Sequence, residues 1–224
     1  MDWDALRISL SLAAATTLLL AVPGIWLARW LAYSRRPWRP LVEASLTVPL
    51  ILPPTVLGFY LLSVLGTGAP LGALYQRLFG APLAFSFMGL LIASLVFNLP
   101  FTVMPMQRAF AAIAPELLDA ARTCGLSRWR TLWRIELPLA WPGLLSALIM
   151  TAAHTLGEFG VVLMVGGNIP GETRTIAISI YDRVQAFELE SAANMSALLL
   201  VISLAALMAV SYLGAGRSSE RGLM

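Results

Sequence analysis

Residues Leu117–Pro138 read LLDAARTCGLSRWRTLWRIELP, a compact segment with four arginines between two long runs that carry almost no charge. Over the whole chain, 58% of the residues are hydrophobic and 12% are charged. Soluble domains carry about 25% charged residues, so this chain has too little charge for a surface that faces water throughout. Lipid must be the solvent for much of it, and the segment is a polar insert in an integral membrane protein.

The uncharged runs predict an all-α membrane fold, because a bilayer core about 30 Å thick is crossed by about 20 apolar residues in a helix. We expect a single domain over residues 1–224. It has five spans, near residues 8–31, 44–66, 85–106, 140–165 and 192–214. Pro53 and Pro54 stand inside the second span, where each removes a backbone donor and favours a kink. Such a kink suits a helix that lines a translocation pathway and equally a packing bend, and both interpretations stay open.

The distribution of arginine predicts the orientation of these spans, since cytoplasmic loops of membrane proteins are enriched in basic residues. Eleven arginines fall in the first loop, the third loop and the C-terminal tail, and four fall on the opposite side. The first group is Arg29, Arg35, Arg36, Arg39, Arg108, Arg122, Arg128, Arg130, Arg134, Arg217 and Arg221; the second is Arg7, Arg77, Arg174 and Arg183. The N-terminus is therefore expected outside, with the C-terminus and the loop over residues 108–138 in the cytoplasm.

The insert itself predicts two short helices. Pro115 suits the first turn of one helix, and Gly125 can take the left-handed conformation that ends it. Two consecutive alanines keep the surface of this helix low, so that another protein can approach closely. Ser127 can cap a second helix, and Pro138 is expected to end that helix and to start the next span. An amphipathic helix lying on the membrane surface is the alternative for the same residues.

DAARTCG (Asp119–Gly125), followed by IELP (Ile135–Pro138), resembles the cytoplasmic signature loop of permease subunits in binding-protein-dependent ABC importers. That signature is Glu-Ala-Ala, three residues, Gly and, about nine residues later, a hydrophobic-x-Leu-Pro run. Here Asp119 replaces the usual glutamate. The resemblance implies a type I ABC importer permease fold, in which this helix docks on a separate ATPase subunit and carries its motion to the membrane. The ATPase-coupling residues so implied are Glu116, Asp119, Ala120, Ala121, Gly125, Leu137 and Pro138.

The composition excludes the usual ATP-hydrolysing machinery from this chain. A P-loop needs a lysine that reaches the β- and γ-phosphates, and all 15 basic residues here are arginines. We therefore expect ATP and Mg²⁺ on the partner ATPase, and no cofactor, metal site or catalytic residue on this chain. A hydrolase is disfavoured too, because Gly-x-Ser-x-Gly is absent and the single histidine, His154, has no serine or cysteine four residues away. The net charge of +3 needs no nucleic acid to explain it.

The segment around His154 offers candidates for a translocation pathway. His154 and Glu158 are four residues apart and would share one face of a helix. An acid inside a span is a functional candidate. About 27 Å of helix from Ala140 places Glu158 near the outer boundary, so a gate and a structural role at a helix end are both open. The residues predicted for the pathway or its gate are Pro53, Pro54, His154, Gly157, Glu158 and Gly160.

The stretch GNIPGETRT, residues 167–175, holds Arg174 with Thr173 and Thr175, and these side chains can offer donors to a tetrahedral oxyanion. An exposed turn with an ordinary arginine is the alternative. We expect Asn168, Thr173 and Arg174 to contact the oxyanion or its binding protein at the outer face. LGEFG (Leu156–Gly160) together with GNIPGETRT resembles molybdate permeases, and sulfate and tungstate permeases share parts of both motifs.

That resemblance implies a homodimer in the lipid of the bacterial cytoplasmic (inner) membrane, with two ATP-binding subunits and an external substrate-binding protein. The GETRT ending favours molybdate as the cargo, and a sulfate or tungstate permease of the same architecture is the alternative. A proton-coupled carrier would place ionisable groups near the midplane and often shows an inverted repeat, and neither is visible. The sequence therefore favours an ATP-driven importer over a carrier or a membrane-embedded enzyme.

Overall fold

The computed structural model describes residues 1–215, and this part of the chain folds into eleven α-helices joined by loops. The helices are α1 Trp3–Tyr33, α2 Arg39–Ile51, α3 Pro54–Leu65, α4 Pro70–Phe79, α5 Phe87–Ala111, α6 Pro115–Thr123, α7 Arg128–Thr131, α8 Leu137–Gly157, α9 Gly160–Gly166, α10 Ile176–Gln185 and α11 Leu189–Ala215. A π-helical segment, Leu132–Glu136, joins α7 to α8 without a break. The predicted all-α fold is confirmed.

Within residues 1–215, four helices are long and apolar enough to cross a membrane: α1, α5, α11 and the continuous helix Arg128–Gly157. A fifth span results if α2 and α3, which meet at 110°, count as one. The prediction of about five kinked spans is confirmed, but the second, residues 44–66, is not one helix. Leu52 and Pro53 interrupt it with ψ values of 137° and 136°. Two successive prolines supply no N–H donor, and each pushes the residue before it out of the helical region.

The helix that corresponds to the span predicted over residues 140–165 differs from the prediction at both ends. It begins earlier, because Pro138 does not end the preceding helix but lies in the first turn of α8. The backbone N–H of Leu137 donates to the carbonyl of Leu132, one residue farther back than in an α-helix, and this π-type register leads directly into the proline. The span ends at Gly157, and α9 is a separate helix. The predictions that Pro138 separates two helices and that one helix continues to residue 165 are therefore wrong.

The centre of the fold is the packing of α1, α5 and α8 against one another. Leu31, Met106 and Leu144, one from each helix, are fully buried there. Small residues bring the backbones close: a Cβ added to Gly143 would lie 2.5 Å from the Cβ of Ala109. Lipid is as apolar as these side chains, so close packing rather than the hydrophobic effect holds such helices together.

The two ends of the bundle gather different loops. At one end the hydroxyl of Tyr33, the last residue of α1, donates to the carbonyl of Phe110 in α5 at 3.1 Å. At the other end Ser179 of α10 donates to the carboxylate of Asp2 at 2.9 Å. The first and third loops, predicted to share one side of the membrane, therefore do lie at the same end; the two tail arginines lie outside the described residues. Two helices without a predicted counterpart, α4 and α10, have ten residues each and are too short to span a bilayer.

Candidate functional site

α6 has the start and the end that its sequence predicts. It begins at Pro115. At its end the backbone N–H of Gly125 donates to the carbonyl of Arg122, and that of Leu126 donates to the carbonyl of Ala121, both at 3.0 Å. This pair of bonds is a Schellman motif. It requires the left-handed conformation that Gly125 adopts, with φ of +74°, and residues with a Cβ take that conformation at a cost.

One face of α6 is not covered by any other part of the described chain. Ala121 is only 4% exposed, and Leu118 packs against the core formed by α1, α5 and α8. The opposite side carries an ion pair open to solvent, in which the Arg122 guanidinium donates to Asp119 at 2.7 Å. A low surface that mixes an apolar side chain with acidic ones suits contact with another protein. The exposed residues of this face are Glu116, Leu117, Asp119 and Ala120.

The segment between α7 and α8 is tied to α1 by an ion pair that the sequence predictions missed. Glu136, 2% exposed, accepts hydrogen bonds from Arg29 Nε at 2.5 Å and from Arg29 Nη2 at 2.8 Å. Bidentate pairs of this kind are among the strongest in proteins. Leu137 and Pro138, two of the predicted coupling residues, follow directly, so the ion pair fixes the base of α8. The available signal was Arg29 itself, since a charged residue inside an apolar span needs a buried partner.

A chain of side-chain hydrogen bonds crosses the packed centre of α1, α5 and α8. Thr16 donates to Ser94 at 2.8 Å, Asn98 donates to the Ser94 hydroxyl at 3.1 Å, and the hydroxyls of Thr102 and Thr151 lie 2.8 Å apart. All five side chains are buried. Each of these polar groups therefore finds within the bundle the hydrogen-bond partner that lipid cannot offer. We call these five residues, together with His154, the polar seam: Thr16, Ser94, Asn98, Thr102, Thr151 and His154.

His154 completes the polar seam between two aromatic rings. Its Nδ1 lies 3.1 Å from Asn98 Oδ1, and the Asn98 amide nitrogen donates to Ser94. Asn98 Oδ1 is therefore the acceptor, which places the hydrogen on Nδ1 and leaves Nε2 as the second, uncommitted ring nitrogen. The ring stacks on Phe101 at 3.5 Å and lies 4.6 Å from Phe97. His154 is half-buried, so it is the member of the polar seam with access to the surface of the bundle.

Glu158 lies beyond the end of α8, and its side chain caps α9. Its carboxylate accepts a hydrogen bond from the backbone N–H of Val161 at 2.8 Å. A negative group at this position satisfies an N–H of the first turn and favours the positive end of the helix. The prediction that His154 and Glu158 share a helix face is wrong, because α8 ends at Gly157 and the chain turns before α9.

The two breaks in the fold, between α2 and α3 and between α8 and α9, pack on each other. A Cβ added to Gly160 would lie 2.7 Å from the Cβ of Pro54, and one added to Gly58 would lie 2.7 Å from Met164. Pro53, which precedes this contact, is exposed. The predicted pathway residues are thus divided between one site where the two breaks meet and His154 in the polar seam. Gly157 makes no close approach to another residue, since a Cβ there would meet nothing within 4 Å.

The turn between α9 and α10 holds the three residues predicted for the outer face. Arg174 Nε donates to Asn168 Oδ1 at 2.6 Å, and Asn168 Nδ2 donates to Asp182 at 2.7 Å, so arginine and amide are already linked to an acid. Thr173 is fully buried, and its hydroxyl donates to the carbonyl of Gly166 at 2.6 Å. Thr173 therefore holds the turn together, while Asn168 and Arg174 lie partly open on its surface.

Comparison with known proteins agrees with this architecture. The family model described as binding-protein-dependent transport system inner membrane component matches residues 14–221. A molybdenum transport system permease protein of Azotobacter vinelandii is 49% identical over 187 residues, 84% of this chain and 83% of that one. Its counterpart in Escherichia coli K12 is 36% identical over 207 residues, 92% of this chain and 89% of that one. A sulfate transport system permease protein of the same strain is 28% identical over 209 residues, with 93% and 75% covered.

The fold itself recurs in a solved structure. A chain from the crystal structure of a bacterial alginate ABC transporter, in complex with an alginate pentasaccharide-bound periplasmic protein, matches with a TM-score of 0.72. It is 17% identical, and the match covers 94% of this chain and 76% of that chain. The helix arrangement is therefore shared although the sequences have diverged. With a family match over residues 14–221 that includes α6 and the polar seam, the chain belongs to the inner membrane components of binding-protein-dependent transport systems.

Proposed function

We propose that the chain is the permease subunit of an ATP-driven importer that moves molybdate across the bacterial cytoplasmic membrane. The observation that carries this proposal is the 49% identity to the molybdenum permease protein of Azotobacter vinelandii over 84% of the chain. Identity to the sulfate permease protein of Escherichia coli is 28%, which ranks sulfate behind molybdate. The GETRT ending of the outer turn supports the same choice.

In this proposal the loop over residues 108–138 faces the cytoplasm, and the uncovered face of α6 docks on a separate ATP-binding subunit. That subunit holds ATP and Mg²⁺, and this chain has no catalytic role. The low surface at Ala120 lets the two proteins approach closely, the buried Ala121 allows α6 to pack closely on the rest of the chain, and Gly125 sets the direction in which the chain leaves the helix. Glu116 and Asp119 supply the charges of the contact. A reporter fused after Arg221 is expected in the cytoplasm, and an external signal would reverse the orientation.

Two connections would carry the motion of α6 into the membrane. The first is the continuous helix from Arg128 to Gly157, 30 residues long, which starts three residues after Gly125 and contains Leu137 and Pro138. The second is the Arg29–Glu136 ion pair, which links the base of α8 to α1. A displacement of α6 therefore moves α8 and α1 together.

We place the outer gate where the two breaks meet, at Pro53, Pro54, Gly157, Glu158 and Gly160. Helix breaks are positions at which segments can rotate, and the contact between Pro54 and Gly160 couples the two rotations. His154 lies about one helical turn farther into α8, next to the pathway. Two copies of the chain form that pathway as a homodimer with two ATP-binding subunits. An external binding protein delivers the oxyanion at the turn that carries Asn168 and Arg174.

The test is the ATPase activity of this chain reconstituted in liposomes with its ATP-binding subunit. The binding protein is added loaded with molybdate, with tungstate or with sulfate, and once without ligand as the control. Stimulation by the molybdate-loaded form, with little by the sulfate-loaded form, is the expected result. Stimulation by the sulfate-loaded or the tungstate-loaded form alone would leave the proposed permease architecture standing and identify that anion as the cargo. No stimulation by any form would remove the coupling role of α6.

A further inference from the structure

A large cavity lies beside α6, at the end of the bundle that gathers the first and third loops. Its volume is about 790 Å³, and it opens between the end of α1, the start of α2, α6 and α7. The Arg29–Glu136 ion pair lines it. The proposed function uses Asp119 and the Arg29–Glu136 pair of this lining for coupling, and it gives no role to Arg35 and Arg128. Its charged lining residues are Arg29, Arg35, Arg39, Arg122, Arg128, Asp119 and Glu136.

The charge of this cavity is strongly positive, because five arginines face two acids. Three of the arginines have an acidic partner: Arg29 bonds Glu136, Arg122 bonds Asp119, and Arg39 bonds Glu43 outside the cavity lining at 2.9 Å. Arg35 and Arg128, by contrast, pair with no carboxylate among residues 1–215. They come from the α1–α2 loop and from α7, and both line the cavity. The cavity therefore presents two guanidinium groups whose charge nothing in the described chain neutralises.

Tryptophans place the cavity at the level of the lipid headgroups. Arg29 lies on α1 between Trp26 and Trp30. Trp26 stacks on Trp129 of α7 with ring centroids 5.8 Å apart, and Trp30 stacks on Trp38 with centroids 4.6 Å apart. Tryptophan is enriched at the boundary between hydrocarbon and water, where its ring sits beside the headgroups. An anion that enters the cavity is therefore at the depth of a phospholipid phosphate.

We propose that this cavity binds a tetrahedral oxyanion, the phosphate of an anionic phospholipid headgroup, between Arg35 and Arg128. Guanidinium groups hold phosphate oxygens through paired N–H donors, and basic pockets between membrane helices at this depth bind anionic headgroups. The proposal does not depend on the cargo, and it rests on Arg35 and Arg128, to which the proposed function gives no role. Its failure would leave the proposed function untouched.

The experiment measures phosphatidylglycerol binding to the full 224-residue chain in neutral detergent by native mass spectrometry. Detergent removes the charged bilayer surface, and about 0.15 M salt screens charges beyond about 8 Å. The test variant is Arg35→Gln with Arg128→Gln. The matched control is Arg130→Gln with Arg134→Gln, which removes the same charge from the same region at exposed positions outside the cavity. Phosphatidylcholine is the neutral lipid, and a large excess of inorganic phosphate is the free competitor.

The wild-type chain and the control variant should bind phosphatidylglycerol alike and in preference to phosphatidylcholine. The test variant should bind it on the order of 25-fold more weakly, because each arginine near an anionic headgroup contributes about fivefold. Inorganic phosphate should not displace the lipid. Equal binding by the test and control variants would overturn the site. Displacement by inorganic phosphate would show that the site binds a free oxyanion, and it would contradict the proposal that the bound phosphate belongs to a lipid.

Discussion

Pro54 and Gly160 touch at a position that has no room for a further carbon, since a Cβ on Gly160 would fall 2.7 Å from the Cβ of Pro54. Each residue begins a short helix directly after a break, α3 in one case and α9 in the other. The contact therefore joins the two interrupted segments of the bundle.

Replacing Gly160 by valine should force the two breaks apart. Overpacking of this kind costs about 1–3 kcal/mol, so we expect a lower thermal unfolding midpoint in detergent and a loss of molybdate uptake. Gly68→Val is the matched control outside the gate, since a Cβ there meets nothing within 4 Å, and it should keep wild-type uptake. Wild-type uptake by Gly160→Val would exclude this contact from the gate.

Replacing Glu136 by glutamine should destabilise the chain by about 3 kcal/mol. Breaking a buried pair by changing one partner costs about 3–5 kcal/mol, and the Arg29 side chain, 24% exposed, recovers part of this from water. Asp119→Asn is the control, because its pair with Arg122 is solvent-exposed and such pairs contribute about 0–1 kcal/mol. Thermal unfolding measures both. The double change Arg29→Met with Glu136→Leu should restore most of the stability, and an equally unstable double variant would contradict this account.

Replacing Gly125 by valine should uncouple the ATPase while the protein stays in the membrane. The left-handed conformation costs a residue with a Cβ about 1–2 kcal/mol, and nothing else lies near enough to clash. We therefore expect the chain to leave α6 in a different direction. The measured effect should be a loss of ATPase stimulation by the loaded binding protein. Gly125→Asn should keep most of the stimulation, because asparagine tolerates this conformation. Full transport by the valine variant would remove Gly125 from the coupling element.

Replacing Glu158 by glutamine should change the rate of uptake more than the choice of anion. Glutamine keeps an oxygen that accepts from the Val161 N–H, so α9 stays capped while the charge is lost. Glu158→Leu removes the acceptor as well and should cost about 0.5–2 kcal/mol of stability, as the loss of a helix cap does. Competition uptake with molybdate, tungstate and sulfate measures the preference. A new preferred anion in Glu158→Gln would make Glu158 a substrate contact.

Local signals in the sequence were sufficient for α6 and its surroundings. Pro115 and Gly125 bound the helix as predicted, and Ser127 caps α7 by accepting from the N–H of Arg130 at 3.3 Å. These effects act within one helical turn, so the residues that cause them are neighbours in the chain. Hydropathy predicted the number of spans, because it measures whether a segment of the sequence is apolar enough to lie in lipid.

Long-range partners and helix interruptions could not be predicted from these local signals. The Arg29–Glu136 pair joins residues 107 positions apart, and no local pattern indicates which acid a buried arginine meets. Hydropathy does not distinguish one straight span from two helices at 110°, so the break at Pro53 was anticipated only as a kink. The separation of α9 from α8 at Gly157 was likewise not visible in the local sequence, and α9 packs on a distant segment through Gly160 and Pro54.

The polar seam has a consequence for how the chain is made. Its bonds join α5 to α1 and to α8 across 78, 49 and 56 residues, and α8 is synthesised last of the three. Until it arrives, Asn98 Oδ1 of α5 lacks its His154 partner in hydrocarbon, where an unsatisfied polar group costs several kcal/mol, while the Thr102 hydroxyl donates within α5 to the Asn98 carbonyl at 3.1 Å. We therefore expect α5 to stay beside α1 or the insertion machinery during membrane insertion until α8 has been translated.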